Sequence, residues 1–276
     1  MRCGLLGKTL GHSYSPQIHA QLGDYRYELF EKQPEELETF LRQGDFDGLN
    51  VTIPYKKAVL PYCARLSDTV KAIGSANTLV RQKDGTLFAD NTDAFGFSCI
   101  LDECGADVRG KKALVFGSGG ASVTAQYVLK TRGARAVLVI SRSGAHNYEN
   151  LAEHADAEIL VNTTPLGMYP NNGASPVDLA QFPRCEAVLD VVYNPARTAL
   201  LLQADALGIP HAGGLLMLVA QAKRSSELFT GGTIPDARIG EIYRMLGTQM
   251  QNLVLVGMPG CGKSSIGTLL AQRLNR

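Results

Sequence analysis

The sequence predicts an α/β protein in two parts, the second of them a doubly wound parallel sheet. Three observations carry this prediction. Strand and helix signals alternate along the chain. Between residues 112 and 192 the strand candidates are continuously apolar, as strands buried on both faces are. A glycine cluster, Gly117-Ser118-Gly119-Gly120, joins the first of those strands to a helix.

The elements follow in order. Met1 to Gly7 reads as a first strand, its apolar run being too short for a signal peptide. Glu28 to Phe30 is a short strand candidate. Pro34 to Leu41 reads as a helix, with proline at its start, acids in the first turn, and Leu37, Phe40 and Leu41 on one face. Gly48 to Ile53 is a strand that Pro54 ends. Thr78–Arg81 and Thr86–Ala89 flank Asp84-Gly85, a hairpin signal. Near residue 110 the pattern changes. Lys112–Phe116 is an apolar strand, and after the glycines a helix runs to Arg132. Ala136–Ile140, Glu158–Val161 and Ala187–Val192 repeat the buried-strand pattern. After Gly213-Gly214 two helices follow, Leu215 to Phe229 and Ala237 to Leu246. Asn252 to Gly257 reads as one more buried-type strand, and Ile266 to Leu274 as a helix.

The bulk numbers narrow the function classes. The 276 residues are 45% apolar and 19% charged, with a net charge of +1 from 27 basic and 26 acidic residues. Such a balance gives no electrostatic footprint for nucleic acid or an anionic membrane. No run approaches the ~20 apolar residues of a membrane span. The six cysteines, at 3, 63, 99, 104, 185 and 261, form no Cys-x-x-Cys, so we expect reduced thiols in a cytoplasmic protein and no metal site.

Two clusters carry chemistry. Gly117-Ser118-Gly119-Gly120-Ala121-Ser122 sits between strand and helix. There glycines allow close backbone approach to a pyrophosphate, and the helix N-terminus offers free N–H groups. At the end of the second strand an NAD enzyme places an acid for the ribose 2′-OH. Here the residues are Ser141-Arg142-Ser143, with no carboxylate to repel a 2′-phosphate and an arginine able to pair with it. This favours NADP. The other cluster lies in the first half: Ser13 and Ser15, Asn50 and Thr52 on one face of a strand, Lys56 beyond the proline, Asn77, and Asp93 after the hairpin. Singly these have ordinary readings: Ser15 as a helix N-cap, Asn77 as a turn residue, Lys56 as a surface charge. Together, hydroxyls, amides, one amine and one carboxylate suit a small polyhydroxylated acid.

Over residues 1–247 the chain closely resembles shikimate dehydrogenase. The matching stretches are His12-Ser13-Tyr14-Ser15-Pro16, Asn50-Val51-Thr52-Ile53-Pro54-Tyr55-Lys56, Ala76-Asn77-Thr78-Leu79 and Asp90-Asn91-Thr92-Asp93. They continue with Gly117-Ser118-Gly119-Gly120-Ala121, Asn162-Thr163-Thr164-Pro165-Leu166-Gly167-Met168, Asp190-Val191-Val192-Tyr193-Asn194-Pro195, and Gly214 to Gln221. The resemblance implies that Ser13, Ser15, Asn50, Thr52, Asn77, Asp93, Tyr193 and Gln221 hold shikimate, and that Lys56 and Asp93 are the catalytic pair. It implies that Gly117, Gly119, Gly120, Ala121, Arg142, Thr163 and Gly214 hold NADP on a Rossmann-like domain. The expected division is a substrate domain of residues 1–96 completed by 213–247, and an NADP domain of residues 97–212. The family often has Asn-Arg-Thr where this chain has Ser141-Arg142-Ser143, and Ala145 and His146 fill a stretch that often holds a second basic residue. That bears on the strength of the NADP preference more than on its direction.

In the implied reaction, reduction of 3-dehydroshikimate, Lys56 as an ammonium stabilises the developing alkoxide and supplies its proton, while Asp93 orients the amine. Three other readings stay open: an NAD-using quinate/shikimate dehydrogenase, a shikimate sensor without turnover, and an ATP-dependent kinase. The third rests on Gly257-Met258-Pro259-Gly260-Cys261-Gly262-Lys263-Ser264, a P-loop pattern after an apolar segment and before a helix. It resembles the opening of shikimate kinase. The expectation is that residues 250–276 are a truncated kinase fragment fused to the dehydrogenase, without kinase activity. The sequence leaves monomer and homodimer open.

Overall fold

The computed structural model describes residues 1–11, 13–251 and 253–274. His12 of the first matching motif and Asn252, the expected start of the last strand, lie outside the described residues.

Six strands form the first sheet: β1 (Arg2–Gly7), β2 (Arg26–Glu31), β3 (Gly48–Val51), β4 (Arg65–Leu66), β5 (Thr78–Arg81) and β6 (Leu87–Asp90). Their spatial order is β2-β1-β3-β5-β6-β4. β1 runs parallel to β2 and β3, and the β5–β6 hairpin joins β3 in antiparallel register. Asp84-Gly85 does close that hairpin, with Gly85 in the left-handed region. Around this sheet lie α1 (Ser15–His19), α2 (Leu37–Gln43) and α3 (Asp68–Ile73). The helix expected from Pro34 begins as a short 3-10 turn, Pro34–Glu36, before α2 buries Leu37 and Leu41. The strand expected to reach Ile53 stops at Val51, and Ile53 is 77% exposed. Pro54 has no N–H for a ladder, so the chain leaves the sheet just ahead of it.

α4 (Asp93–Cys104) leads to the second sheet: β7 (Lys112–Phe116), α5 (Gly120–Thr131), β8 (Ala136–Ile140), β9 (Ile159–Asn162), β10 (Ala187–Asp190), α6 (Ala199–Leu207) and β11 (His211–Gly213). The strand order is β11-β10-β9-β7-β8, all parallel. The period of two is plain in β7. Ala113 and Val115 pack with α4 and α5, whereas Leu114 and Phe116 pack with Leu200 and Leu201 of α6 on the other face. All four are fully buried. The continuously apolar strands therefore do mark a doubly wound sheet.

The chain then returns to the first sheet. α7 (Gly214–Thr230) and α8 (Ala237–Met250) pack with α1 around Ile18, Leu215, Val219 and Ile242. The expected junctions at 96/97 and 212/213 fall inside α4 and at the end of β11, and α4 packs against both α5 and α7. No helix of the described residues is long and apolar enough to cross a membrane.

The last segment differs from expectation. α9 (Lys263–Leu274) forms, but residues 253–257 are not a strand. Val254 and Val256 are 79% and 90% exposed. An extended segment becomes a strand only when a neighbouring backbone takes its N–H and C=O groups, and neither sheet includes it.

Candidate active site

A cavity of about 290 Å³ opens where the carboxyl ends of β1 and β3 face the loop after β10 and the start of α7. Ser13, Ser15, Asn50, Thr52, Lys56, Asn77, Asp93, Tyr193 and Gln221 all line it, with Ala121 and Gly214. Residues spread over more than two hundred positions thus share one polar hollow. Apolar walls come from Leu5, Val51, Val191, Met217 and Leu218, which the sequence offers no reason to select.

Lys56 follows the turn after β3. Its backbone is fixed on two sides: its carbonyl accepts from Ala76 N–H at 2.8 Å, and the next-door Tyr55 is a buried anchor. Lys56 Nζ donates to Asp93 Oδ2 at 2.6 Å. The side chains are 26% and 14% exposed, so the pair is half-sheltered yet reachable from the cavity. Asp93 opens α4, where a carboxylate also gains from the helix dipole. Its other oxygen, Oδ1, accepts from Asn77 Nδ2 at 2.9 Å. Asn77 is buried and in turn accepts from Thr92 N–H at 2.7 Å, so it is a lattice point of the site and not a turn residue.

Asn50 is set in the same way. Its Oδ1 accepts from Tyr27 Oη at 2.8 Å, and its Nδ2 donates to Ser225 Oγ at 2.8 Å. Burial pushes the Tyr27 phenol well above its ordinary value, which keeps it a donor. Tyr27 stacks on His19 with ring centroids 4.0 Å apart. Burial pushes that imidazole down to about 3, so it is neutral. Ser15 is not the N-cap of α1. Tyr14 holds that position, Ser13 Oγ accepts from Ser15 N–H at 3.2 Å, and Ser15 lines the cavity with its hydroxyl beside the Tyr27 phenol. Tyr193 packs edge-on against Tyr14, and burial raises its phenol. Gln221 is anchored through Nε2 to the Leu218 carbonyl at 2.9 Å.

The glycine turn lies at the end of β7. Gly117 has φ +101, and a Cβ there would sit 3.0 Å from both Thr163 Oγ1 and Thr164 Cγ2. Its N–H donates to the Ile140 carbonyl at 2.8 Å, and Thr163 donates through N–H and Oγ1 to the Phe116 carbonyl at 2.9 and 2.6 Å. Thr163 is therefore a clamp on the turn. No side chain caps α5, and a Cβ on Gly119 or Gly120 would meet nothing within 4 Å. The turn thus leaves free helix N–H groups beside open space, which fits a pyrophosphate. Gly214 is needed for a different reason: a Cβ there would lie 2.1 Å from the Val191 carbonyl. Arg142, just past β8, is exposed and makes no hydrogen bond or ion pair among the described residues.

Beneath the loop that carries Val191 and Tyr193, Asp190 is fully buried. Its Oδ1 accepts from Asn162 Nδ2 and Val192 N–H, both at 3.0 Å, and its Oδ2 accepts from Thr198 Oγ1 at 2.7 Å. Desolvation outweighs these bonds and raises the carboxyl to about 6. Sequence reasoning assigned no role to Asp190 or to the hydroxyls of Thr78, Thr92 and Ser225 behind the cavity, and Ser225 meets Thr78 and Thr92 across more than a hundred residues.

A family model described as the shikimate dehydrogenase substrate binding domain matches residues 5–79. A shikimate dehydrogenase (NADP(+)) of Caldicellulosiruptor bescii is 37% identical over 247 residues, covering 79% of this chain and 85% of the relative. The fold aligns with a shikimate 5-dehydrogenase of Thermus thermophilus in complex with NADP(H) and shikimate. That TM-score is 0.79 at 32% identity, covering 89% of this chain and 99% of that one. It also aligns with a quinate dehydrogenase of Corynebacterium glutamicum in complex with NAD, with TM-score 0.80 and 27% identity, covering 89% of this chain and 99% of that one. The chain belongs to the shikimate dehydrogenase family.

Proposed function

We propose that the chain reduces 3-dehydroshikimate reversibly to shikimate with NADPH, and that Lys56 and Asp93 are its working pair. One observation carries the reading: the 2.6 Å Lys56–Asp93 contact sits in a polar cavity that also reaches Ala121 and Gly214, beside the glycine turn. The bound cofactor would supply the hydride. Lys56 Nζ–H, aimed into the cavity, stabilises negative charge on the substrate oxygen and passes it a proton. Asp93 holds that amine in place and can accept from a neighbouring substrate hydroxyl. Ser13, Ser15, Asn50, Thr52, Asn77, Tyr193 and Gln221 supply the other polar contacts for a small polyhydroxylated acid. Gly117, Gly119, Gly120 and Thr163 would form the cofactor turn, with Ala121 and Gly214 near the reacting end. Arg142, an unpaired guanidinium, would receive the 2′-phosphate. Substrate residues 1–96 with 213–247 would face cofactor residues 97–212, and six free cysteines suit a reducing, cytoplasmic setting.

Lys56→Ala should lower kcat by about 10²–10⁴-fold at saturating ligands, and Asp93→Asn by less. Near-normal turnover of Lys56→Ala would remove the assignment. Measuring wild-type turnover by nicotinamide absorbance, with NADP against NAD and shikimate against quinate, separates this reading from its rival. The rival, an NAD-using quinate/shikimate enzyme, is favoured by the fold shared with the quinate dehydrogenase.

We further propose that residues 250–276 correspond to the opening of a shikimate-kinase-like unit fused to the dehydrogenase. The P-loop pattern followed by α9 supports this. The segment has no acidic side chain to direct magnesium, so phosphoryl transfer is not assigned to it.

A further inference from the structure

Behind the cavity lies a cluster of three buried hydroxyls: Thr78 on β5, Thr92 just before α4, and Ser225 on α7. None of them lines the cavity. Ser225 Oγ lies 2.8 Å from Thr78 Oγ1, 2.9 Å from Thr92 Oγ1 and 2.8 Å from Asn50 Nδ2, and it donates to the Gln221 carbonyl at 3.0 Å. Thr78 Oγ1 lies 3.1 Å from Asn77 Oδ1, and Asn77 Nδ2 lies 3.0 Å from Thr92 Oγ1.

Two proton assignments satisfy this cluster. Ser225 accepts from Asn50 Nδ2 and from one of the two threonine hydroxyls, and its own proton lies toward the other threonine and Gln221 O. That other threonine gives its proton to Asn77 Oδ1, which also receives Thr92 N–H. Asn77 is then left with both its N–H groups, one for Thr92 Oγ1 and one for Asp93 Oδ1. The amide orientations follow from these contacts. A flipped Asn50 would turn its Nδ2 toward the Tyr27 hydroxyl and its Oδ1 toward Ser225, reversing both bonds. A flipped Asn77 would present an oxygen to the Asp93 carboxylate.

We propose that Ser225 is a positioning residue for the reduction. It fixes Asn50 directly, and through Thr92 and Asn77 it fixes the Asp93 carboxylate against Lys56. The inference rests on the reading that Lys56 and Asp93 are the working pair. It adds that α7 contributes to their alignment from outside the substrate cavity.

The test is steady-state kinetics on the full chain, with shikimate and NADP varied in turn. Ser225→Ala removes an acceptor of two bonds and is expected to raise the shikimate KM about tenfold or more, with the NADP KM unchanged. Thr92→Val keeps the shape and the backbone N–H but loses the hydroxyl, and is expected to lower kcat more than it raises the shikimate KM. Thr92→Ser should return kcat to near wild type. Melting temperature, read alongside, separates a structural role. Wild-type kinetics in Ser225→Ala and Thr92→Val would overturn the proposal, as would equal losses for both ligands that track a fall in melting temperature. If Ser225→Ala does not fold, Ser225→Cys, which keeps a weak donor and acceptor, gives the same reading. Failure of the catalytic pair shows elsewhere, as normal turnover in Lys56→Ala, so the two ideas fall separately.

Discussion

Two glycine-rich turns in this chain follow the same local grammar, an apolar segment, then glycines, then a helix, and reach opposite outcomes. At Gly117–Gly120 the apolar segment is β7, paired in parallel with β8 and β9 and buried on both faces. At Gly257–Gly262 the apolar segment stands exposed and unpaired. In both turns glycines take positive φ: +101 at Gly117, +78 at Gly260 and +79 at Gly262. Glycine therefore grants the local conformation in each case. What differs is the support. The first turn is clamped by Ile140 and Thr163, whereas in the second Lys263 Nζ folds back onto the carbonyls of Gly257 and Met258, both at 2.6 Å. Each large apolar side chain that β7 buries contributes roughly 1.5–3 kcal/mol, and the tail has no counterpart to that burial. A loop motif shapes a site, and a sheet behind it holds the site in place.

For this contrast, the largest expected effect comes from giving both turns the same insult. Gly117→Val would place a branched Cβ against Thr163 and Thr164 at a φ that L-residues avoid. Such strain costs on the order of 1–3 kcal/mol, before any loss of the turn itself. The NADP KM should rise by about tenfold to a hundredfold, with a lower melting temperature. Gly260→Val carries the same backbone penalty but meets nothing within 4 Å, and should leave both readings unchanged. Equal responses would dissolve the contrast between the turns.

A smaller effect probes the carboxyl end of β10, two strands from the first turn. Asp190 has its folded-state carboxyl raised from 3.8 to about 6 by burial. Between those values the unfolded chain has released the proton and the folded chain keeps it. The contribution of Asp190 to stability therefore falls as pH rises from about 4 through 6. The full shift corresponds to about 3 kcal/mol. Asp190→Asn can keep the contacts: its oxygen can accept from Asn162 and Val192, and its amide can donate to Thr198. The variant's stability relative to wild type should therefore grow by roughly that amount between pH 4 and 7, in denaturant titrations at each pH. A constant difference would show that this carboxyl is not raised.

The contrast also explains what the sequence makes legible. β7 and the other parallel strands announce themselves because burial on both faces removes polar residues from the strand itself, a local signal. Ser13, Asn50, Lys56 and Asp93 stood out in the sequence only as a set, through the motif stretches of the family resemblance, and each alone read as an ordinary polar residue. The hydroxyl cluster was not legible. Ser225 looks like one more polar position on α7, and its meaning comes from Thr78 and Thr92, more than a hundred residues away. The reading of a strand after Asn252 failed for a related reason. Apolarity in Leu253–Val256 states a wish to be buried, and only tertiary partners decide whether it is met.

The smallest expected effect is the most direct test of that last point. If the second turn rests on no sheet, a chain ended after Gln251 should lose almost nothing. Stability should change by less than about 0.5 kcal/mol, the scale of surface changes, and both KM values and kcat should hold. One property should improve. Leu253, Val254, Val256 and Met258 form an exposed apolar run, and unpaired backbone beside it invites association with other chains. Light scattering on heating should therefore start later in the shortened chain. A fall in kcat or a clear loss of stability would mean that the tail packs on the dehydrogenase in solution. The two turns would then differ in degree of support and not in kind.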